Sequence, residues 1–250
     1  MTLLCPRGEA GAVNWPARAG DERVAEDLAA ARPQEIAAHR SMLYFDGGDF
    51  IADSETVFVT PAVARRNVQH TVETPAELRA RLAEKITQTI VLLKEAPDHH
   101  AGMFMALAGN RTAVVGDPSL ARRTLQAAGV LGKTVCGDVG DDFSAATQAL
   151  FDAVACQCAA AGYRVVRIPV VPGLDRRTYI TYVNGIIHQG EQRRVVHMPV
   201  FGHVPELNRA AAEVWRSLGY EVRPVDCSAA YTHFGSLHCL VNVVRRRTQD

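Results

Sequence analysis

The sequence predicts an α/β protein built from repeated ββαβ modules set around a common axis. Three observations lead there. One strand–strand–helix–strand order occurs three times along the 250 residues. Conspicuous polar residues recur at equivalent places in successive repeats. The composition, 48% hydrophobic and 22% charged, is that of a folded globular chain and not of a disordered one.

Taken in order, residues 1–40 predict the remnant of an incomplete first module, with short helices over 25–31 and 34–39. The next module opens with an apolar run over 42–53, interrupted by Asp46-Gly47-Gly48-Asp49 and followed by the β-rich run 56–60. Thr74-Pro75 then reads as a helix N-cap with proline at the first helical position. Leu78, Leu82 and Ile86 follow at four-residue steps on one face. Residues 89–93 close the unit as a strand. The order returns with strands over 103–107 and 112–115, a helix over 145–161 stopped by Gly162, and a strand over 163–168. It returns again with strands over 179–187 and 194–200, a helix over 205–218 stopped by Gly219, and a strand over 221–225. A lone opening strand over 237–244 starts a further unit. The whole is read as one domain, 1–250. No Gly-rich loop follows a first strand, which argues against a dinucleotide-binding sheet.

Charge and cysteine usage narrow the function. Lys+Arg and Asp+Glu number 27 each, a formal net charge of zero. Neither nucleic acid nor an anionic membrane is therefore expected as a partner. No apolar run approaches the roughly 18 residues of a membrane span. Met1 to Gly20 carries no apolar signal core, and a cytoplasmic protein is expected. The six cysteines are scattered, which suits free thiols in a reducing compartment. Cys156-Gln-Cys158 has no second pair at zinc spacing nearby, so no metal site is assigned there.

With the repeats in register, Asp46, His100, Asn184 and Cys239 fall at or near the openings of successive modules. In a radial array such positions converge on the axis. A thiolate attacks electrophilic carbon, an imidazole moves protons, and a carboxylate holds a cationic group through charge-assisted hydrogen bonds. Together they suit a planar amidine or guanidine. Taken singly, each residue has a plainer reading. Cys239 within Leu237-His-Cys-Leu-Val241 reads as a core thiol, His99-His100 as a solvated turn or a metal pair, and Asp46-Gly-Gly-Asp49 as a bulge. The joint recurrence gives the catalytic reading its weight.

Phe45-Asp-Gly-Gly-Asp-Phe50, His100-Ala-Gly-Met-Phe104, Tyr182-Val-Asn184 and Gly235-Ser-Leu-His-Cys-Leu-Val-Asn242, in that order, resemble the guanidino-group-modifying (pentein) superfamily. Its members include agmatine, arginine and peptidylarginine deiminases and amidinotransferases. The resemblance covers residues 40–247 and implies a pseudo-five-fold α/β propeller of ββαβ modules. It implies Cys239 as nucleophile, His100 as general acid and base, and Asp46 as a guanidinium ligand. Asn184 is implied as a further substrate-binding residue, and Arg66 as a carboxylate-binding position. The small-molecule or peptide substrate would be arginine-like, and no metal or organic cofactor is implied. Passage of an amidino-thioether to water makes a deiminase; passage to an amine makes an amidinotransferase.

The departures are specific. Gly102 stands where the family carries an aspartate two residues after its histidine, Phe234 stands where glycine is usual, and an early substrate aspartate is missing. They imply either a substrate other than a free guanidinium or a truncated, non-catalytic member. An incomplete array would expose strand edges and favour self-association into a homo-oligomer.

Overall fold

The computed structural model describes residues 2–5, 23–190 and 193–241, residues 2–5 by their backbone only. Strand β1 (Thr2–Cys5) runs parallel to β2 (Ala37–Arg40), with helix α1 (Val24–Ala31) between them in sequence. The helix expected over 34–39 is absent. A turn and then β2 take its place, because pairing along β1 overrides the helical preference of Ala-Ala-His-Arg.

The first complete module holds β3 (Phe50–Ala52), β4 (Thr56–Val59), α2 (Pro61–Asn67), α3 (Pro75–Ala83) and β5 (Thr89–Leu92). The first strand lies antiparallel to the second and the second parallel to the last. The opening strand is much shorter than the run 42–53, since Gly47–Asp49 forms a 3-10 turn. Thr74 caps α3 as expected, its hydroxyl accepting from the Glu77 N–H at 3.1 Å, and Leu78 and Leu82 are buried.

The second module repeats the plan with β6 (Met105–Leu107), β7 (Thr112–Asp117), α4 (Pro118–Ala127), α5 (Ala145–Ala160) and β8 (Arg164–Pro172). Helices α2 and α4 were not expected. Both start with proline at the first helical position, after Thr60 and Asp117, and Asp117 accepts from the Leu120 N–H at 2.9 Å. The strand expected over 179–187 is two strands. β9 (Tyr179–Thr181) extends the second sheet beside β8, while β10 (Ile186–Gln189) opens the third. The chain crosses between sheets at Tyr182–Gly185. A Cβ on Gly185 would lie 2.6 Å from the His197 carbonyl, so only glycine fits this crossing.

The third module is β10, β11 (Arg194–Val200), α6 (Pro205–Ser217) and β12 (Glu221–Asp226), with the same pairing senses. Gly219, at φ 80°, ends α6. The fourth opening, expected as a strand over 237–244, is a 3-10 turn, Leu237–Leu240, and residues 242–250 lie outside the described residues. Among the described residues three modules are complete. None of their helices is long and apolar enough to cross a membrane.

Apolar clusters sit between the sheets and their helices. The largest gathers Trp215, Tyr182, Phe201, Leu207 and Met198. Trp215 is fully buried, and its indole N–H donates to the Tyr182 carbonyl at 3.1 Å, so α6 anchors the crossing that carries Asn184. Trp215→Ala should lower unfolding free energy by about 3–5 kcal/mol. Urea denaturation followed by far-UV circular dichroism measures the change.

Candidate active site

Two of the predicted residues occupy the same local structure. Asp46 precedes the 3-10 turn Gly47–Asp49, and His100 precedes the 3-10 turn Ala101–Met103; each turn leads into the first strand of its module. Both are extended at the turn entrance, with ψ 154° and 143°. The repeat thus carries the two side chains to corresponding places, and His100 Nε2 lies 3.4 Å from Asp46 Oδ2. The contact depends on Gly48. A Cβ there would meet His100 Cγ and Nδ1 at 2.4 Å, so the glycine backbone packs directly on the imidazole.

Asp49, not singled out by the sequence reading, organises the acidic side. Its carboxylate accepts from Thr60 Oγ1 at 2.8 Å, from the Asp46 N–H at 2.8 Å and from Arg66 Nη1 at 2.7 Å. Three donors satisfy a charge whose side chain is 1% exposed. Arg66 Nη2 also stands 3.6 Å from Asp46 Oδ2. Side chains of Asp46 and His100 keep 21% and 29% exposure, so an incoming molecule can reach them and cannot reach Asp49. Asp49 had one signal in the sequence: it is the third residue after a potential cap, where an acid can return to the cap's own N–H.

Asn184 links the other two segments. It is 2% exposed. Nδ2 donates to the Gly102 carbonyl at 3.0 Å, and Oδ1 accepts from the His238 N–H at 3.0 Å and from Cys239 Sγ at 3.5 Å. A backbone N–H can only donate and a carbonyl can only accept, so these partners fix the orientation of the amide. The turn after His100 and the turn bearing Cys239 therefore meet at one side chain. Cys239 is exposed, and it lies on a 3-10 turn where a buried strand position was the plainer expectation. Gly235 packs beside it; a Cβ there would fall 3.2 Å from Cys239 Cβ.

A fifth segment, the loop between β8 and β9, closes the surround. The Arg177 carbonyl lies 3.1 Å from His99 Nε2, and its guanidinium stacks 4.4 Å above the Phe234 ring. Phe234 itself holds φ 65°, the left-handed conformation that glycine adopts at little cost. Burial first, then the charges of His100 and Arg177, pull His99 down from 6.5 to about 4. Among the described residues no group of three or more His, Cys, Asp or Glu side chains is arranged to hold a metal ion.

Cys156 is exposed like Cys239, while Cys136, Cys158 and Cys227 are buried. Burial pushes Cys158 up to about 12 and also raises Cys136 and Cys227. An exposed thiol, an imidazole and a half-open carboxylate, joined through a buried amide, can carry out nucleophilic attack with proton transfer on a small cation.

A model of the Porphyromonas-type peptidyl-arginine deiminase family matches residues 12–243. Among solved structures, agmatine deiminase from C. jejuni superposes with a TM-score of 0.63 at 15% identity, over 95% of this chain and 64% of that one. Agmatine deiminase from Enterococcus faecalis gives 0.64 at 14% identity, over 95% and 67%. A Porphyromonas gingivalis protein provisionally assigned as an arginine deiminase gives 0.68 at 19%, over 96% and 68%. The chain spans about two thirds of the length of these proteins, and at such identities the likeness establishes a shared mixed α/β fold. No curated protein sequence matches the chain.

Two measurements follow. Brief alkylation of the native protein should modify Cys156 and Cys239 and spare Cys136, Cys158 and Cys227, as read by peptide mass mapping. The pH dependence of stability should carry the mark of His99. Below pH 6.5 the unfolded chain takes up a proton that the folded one refuses until about 4, so stability falls as pH falls through that window. The loss is at most about 3 kcal/mol, and His99→Asn should flatten the dependence in urea titrations.

Proposed function

The chain belongs to the Porphyromonas-type peptidyl-arginine deiminase family, and from that premise we propose that it hydrolyses the guanidino group of an arginine-like substrate through a covalent bond to Cys239. The observation that carries the reading is the set of contacts that joins Asp46 to His100 and, through Asn184, the His100 turn to Cys239.

Each group has a part. Asp46 accepts N–H bonds from the substrate guanidinium; its contacts to His100 and Arg66, at 3.4 and 3.6 Å, are long enough for a better donor to compete with them. Cys239 passes its thiol proton to His100 and, as thiolate, attacks the central guanidinium carbon and forms a C–S bond. His100 gives a proton to one terminal nitrogen, the C–N bond breaks, and ammonia leaves. Water then attacks the same carbon and loses a proton to His100. The C–S bond breaks, sulfur departs as thiolate, and the product carries a ureido group. The remaining hydroxyl proton passes to the released ammonia, so that in sum a guanidinium and water give a urea and ammonium. Asn184 holds the two turns together and accepts from the Cys239 thiol in the resting form.

Arg66 was expected to bind a substrate carboxylate. Its guanidinium is already engaged by Asp49 and Asp46, which supports a role in holding the acidic side instead. A second reading, a non-catalytic member that has lost guanidinium binding, is favoured by Gly102, which brings no carboxylate beside Asn184. No binding of agmatine by calorimetry, together with no ammonia released, would select it.

Incubation with agmatine, L-arginine or a peptide ending in arginine should release ammonia. Cys239→Ala should abolish the release, and unchanged release in that variant overturns the mechanism. Loss of a charge-assisted bond is worth about 1.5–3 kcal/mol, so Asp46→Asn should raise KM about 10- to 100-fold.

A further inference from the structure

His99 is held by bonds that leave it one protonation form. The His100 backbone N–H donates to His99 Nδ1 at 2.8 Å, so Nδ1 carries a lone pair and the proton sits on Nε2, which donates to the Arg177 carbonyl at 3.1 Å. An imidazolium would set an N–H against the His100 N–H. The ring meets Tyr179 edge to face at 5.2 Å and His100 at 5.7 Å. Through Arg177 and its stack on Phe234, the same side chain touches the segment that leads to Gly235 and Cys239.

We propose that His99 is a positioning residue for His100: as the neutral Nε2–H tautomer it fixes the His100 backbone N–H, and so the setting of the His100 ring against Gly48 and Asp46. The proposal rests on the role given to His100 above and deepens it. His100 is extended at the entrance of its 3-10 turn, with φ −58° and ψ 143°. Its N–H is taken by the His99 ring and not by a carbonyl of the turn. On the opposite side the imidazole is packed against Gly48 so closely that a Cβ would overlap it. With the ring confined there, a change of backbone angle at His100 moves Nε2 relative to Asp46 and to the substrate carbon. His99 meets the ring and the backbone N–H of His100. Its effect passes through His100 alone.

Two variants separate the bond from the bulk. His99→Asn can keep an oxygen acceptor for the His100 N–H; His99→Phe keeps the ring and loses the acceptor. With whichever of agmatine, L-arginine or an arginine-terminated peptide the wild type deiminates, His99→Phe should lower kcat about 10- to 100-fold, the scale expected of a misplaced reacting group. KM should stay near the wild-type value, and His99→Asn should recover most of kcat. In the wild-type protein, nitrogen-15 NMR of the imidazoles at neutral pH should show His99 protonated at Nε2 alone. Full kcat in His99→Phe, equal losses in both variants, an effect confined to KM, or a proton on Nδ1 would each overturn the proposal. The NMR reading does so even if a variant fails to fold. A wild type that deiminates none of the three substrates removes the proposed reaction, and the positioning role falls with it; a wild type that is active with an indifferent His99→Phe removes the positioning role alone.

Discussion

The site depends first on one buried amide. Asn184 stands 82 residues from Gly102 and 55 from Cys239 in sequence, and its side chain is closed off from water. A buried amide left without partners costs about 1–3 kcal/mol per unsatisfied group. That penalty locks the His100 turn and the Cys239 turn into one arrangement. The lock is reinforced from behind, where Trp215 binds the Tyr182 carbonyl and Gly185 lets the chain pass close to His197. Packing of the third module therefore sets the position of a side chain on which the second module and the last turn both rely.

The acidic side is built by a different rule. Asp46 and Asp49 bring two formal negative charges and Arg66 one positive, leaving −2 + 1 = −1. Arg66 is spent chiefly on the sealed carboxylate of Asp49, so the surplus falls at Asp46, the acid with access to solvent. A buried pair of this kind adds little net stability, but removing one partner would strand the other, which makes it a firm support for what it touches. What it touches is the Asp46 N–H.

Much of this could be read from the chain, and the failures have identifiable causes. Helices α5 and α6 were expected almost to the residue because Gly162 and Gly219 mark their ends, and α3 was expected from its cap and proline but ends at Ala83, short of Ile86. Thr60-Pro61 and Asp117-Pro118 carry the same signal and went unread, since the repeat template allowed only one helix per module. The register brought Asp46 and His100 to equivalent places because a repeat conserves its turns. It misjudged Cys239 and Asn184. Apolar neighbours such as Leu237 and Leu240 suggested a strand where a 3-10 turn exposes the thiol, and the continuous run 179–187 hid a crossing between sheets. Local composition reports what a residue prefers; which sheet it joins is decided by partners far away in sequence. Asp49 and His99 matter through hydrogen bonds to the backbone of their neighbours; the cap spacing of Asp46 and Asp49 announces the first bond, and no pattern of residue types announces the second.

The departures from the family pattern act on the lining of the site and leave its backbone course in place. Phe234, in the position where glycine is usual, keeps the left-handed angle that glycine would supply. That conformation costs roughly 1–2 kcal/mol for a residue with a Cβ. A stack with Arg177 returns about 0.5–1 kcal/mol at an exposed position, so the loop is held close to its course at a modest net cost. At Gly102 the change runs the other way. A Cβ would sit 3.2 Å from Asn184 Nδ2, tight but not closed, and the carbonyl that Asn184 needs comes from the main chain whatever the side chain is. Neither change disturbs the Asn184 contacts or the Asp46–His100 contact. What they alter is the company a bound molecule would keep: one carboxylate fewer beside Asn184, and an aromatic ring stacked under a guanidinium just before Gly235. On the proposed reading, the departures change what a bound molecule would meet and leave the contacts of Asp46, His100, Asn184 and Cys239 in place.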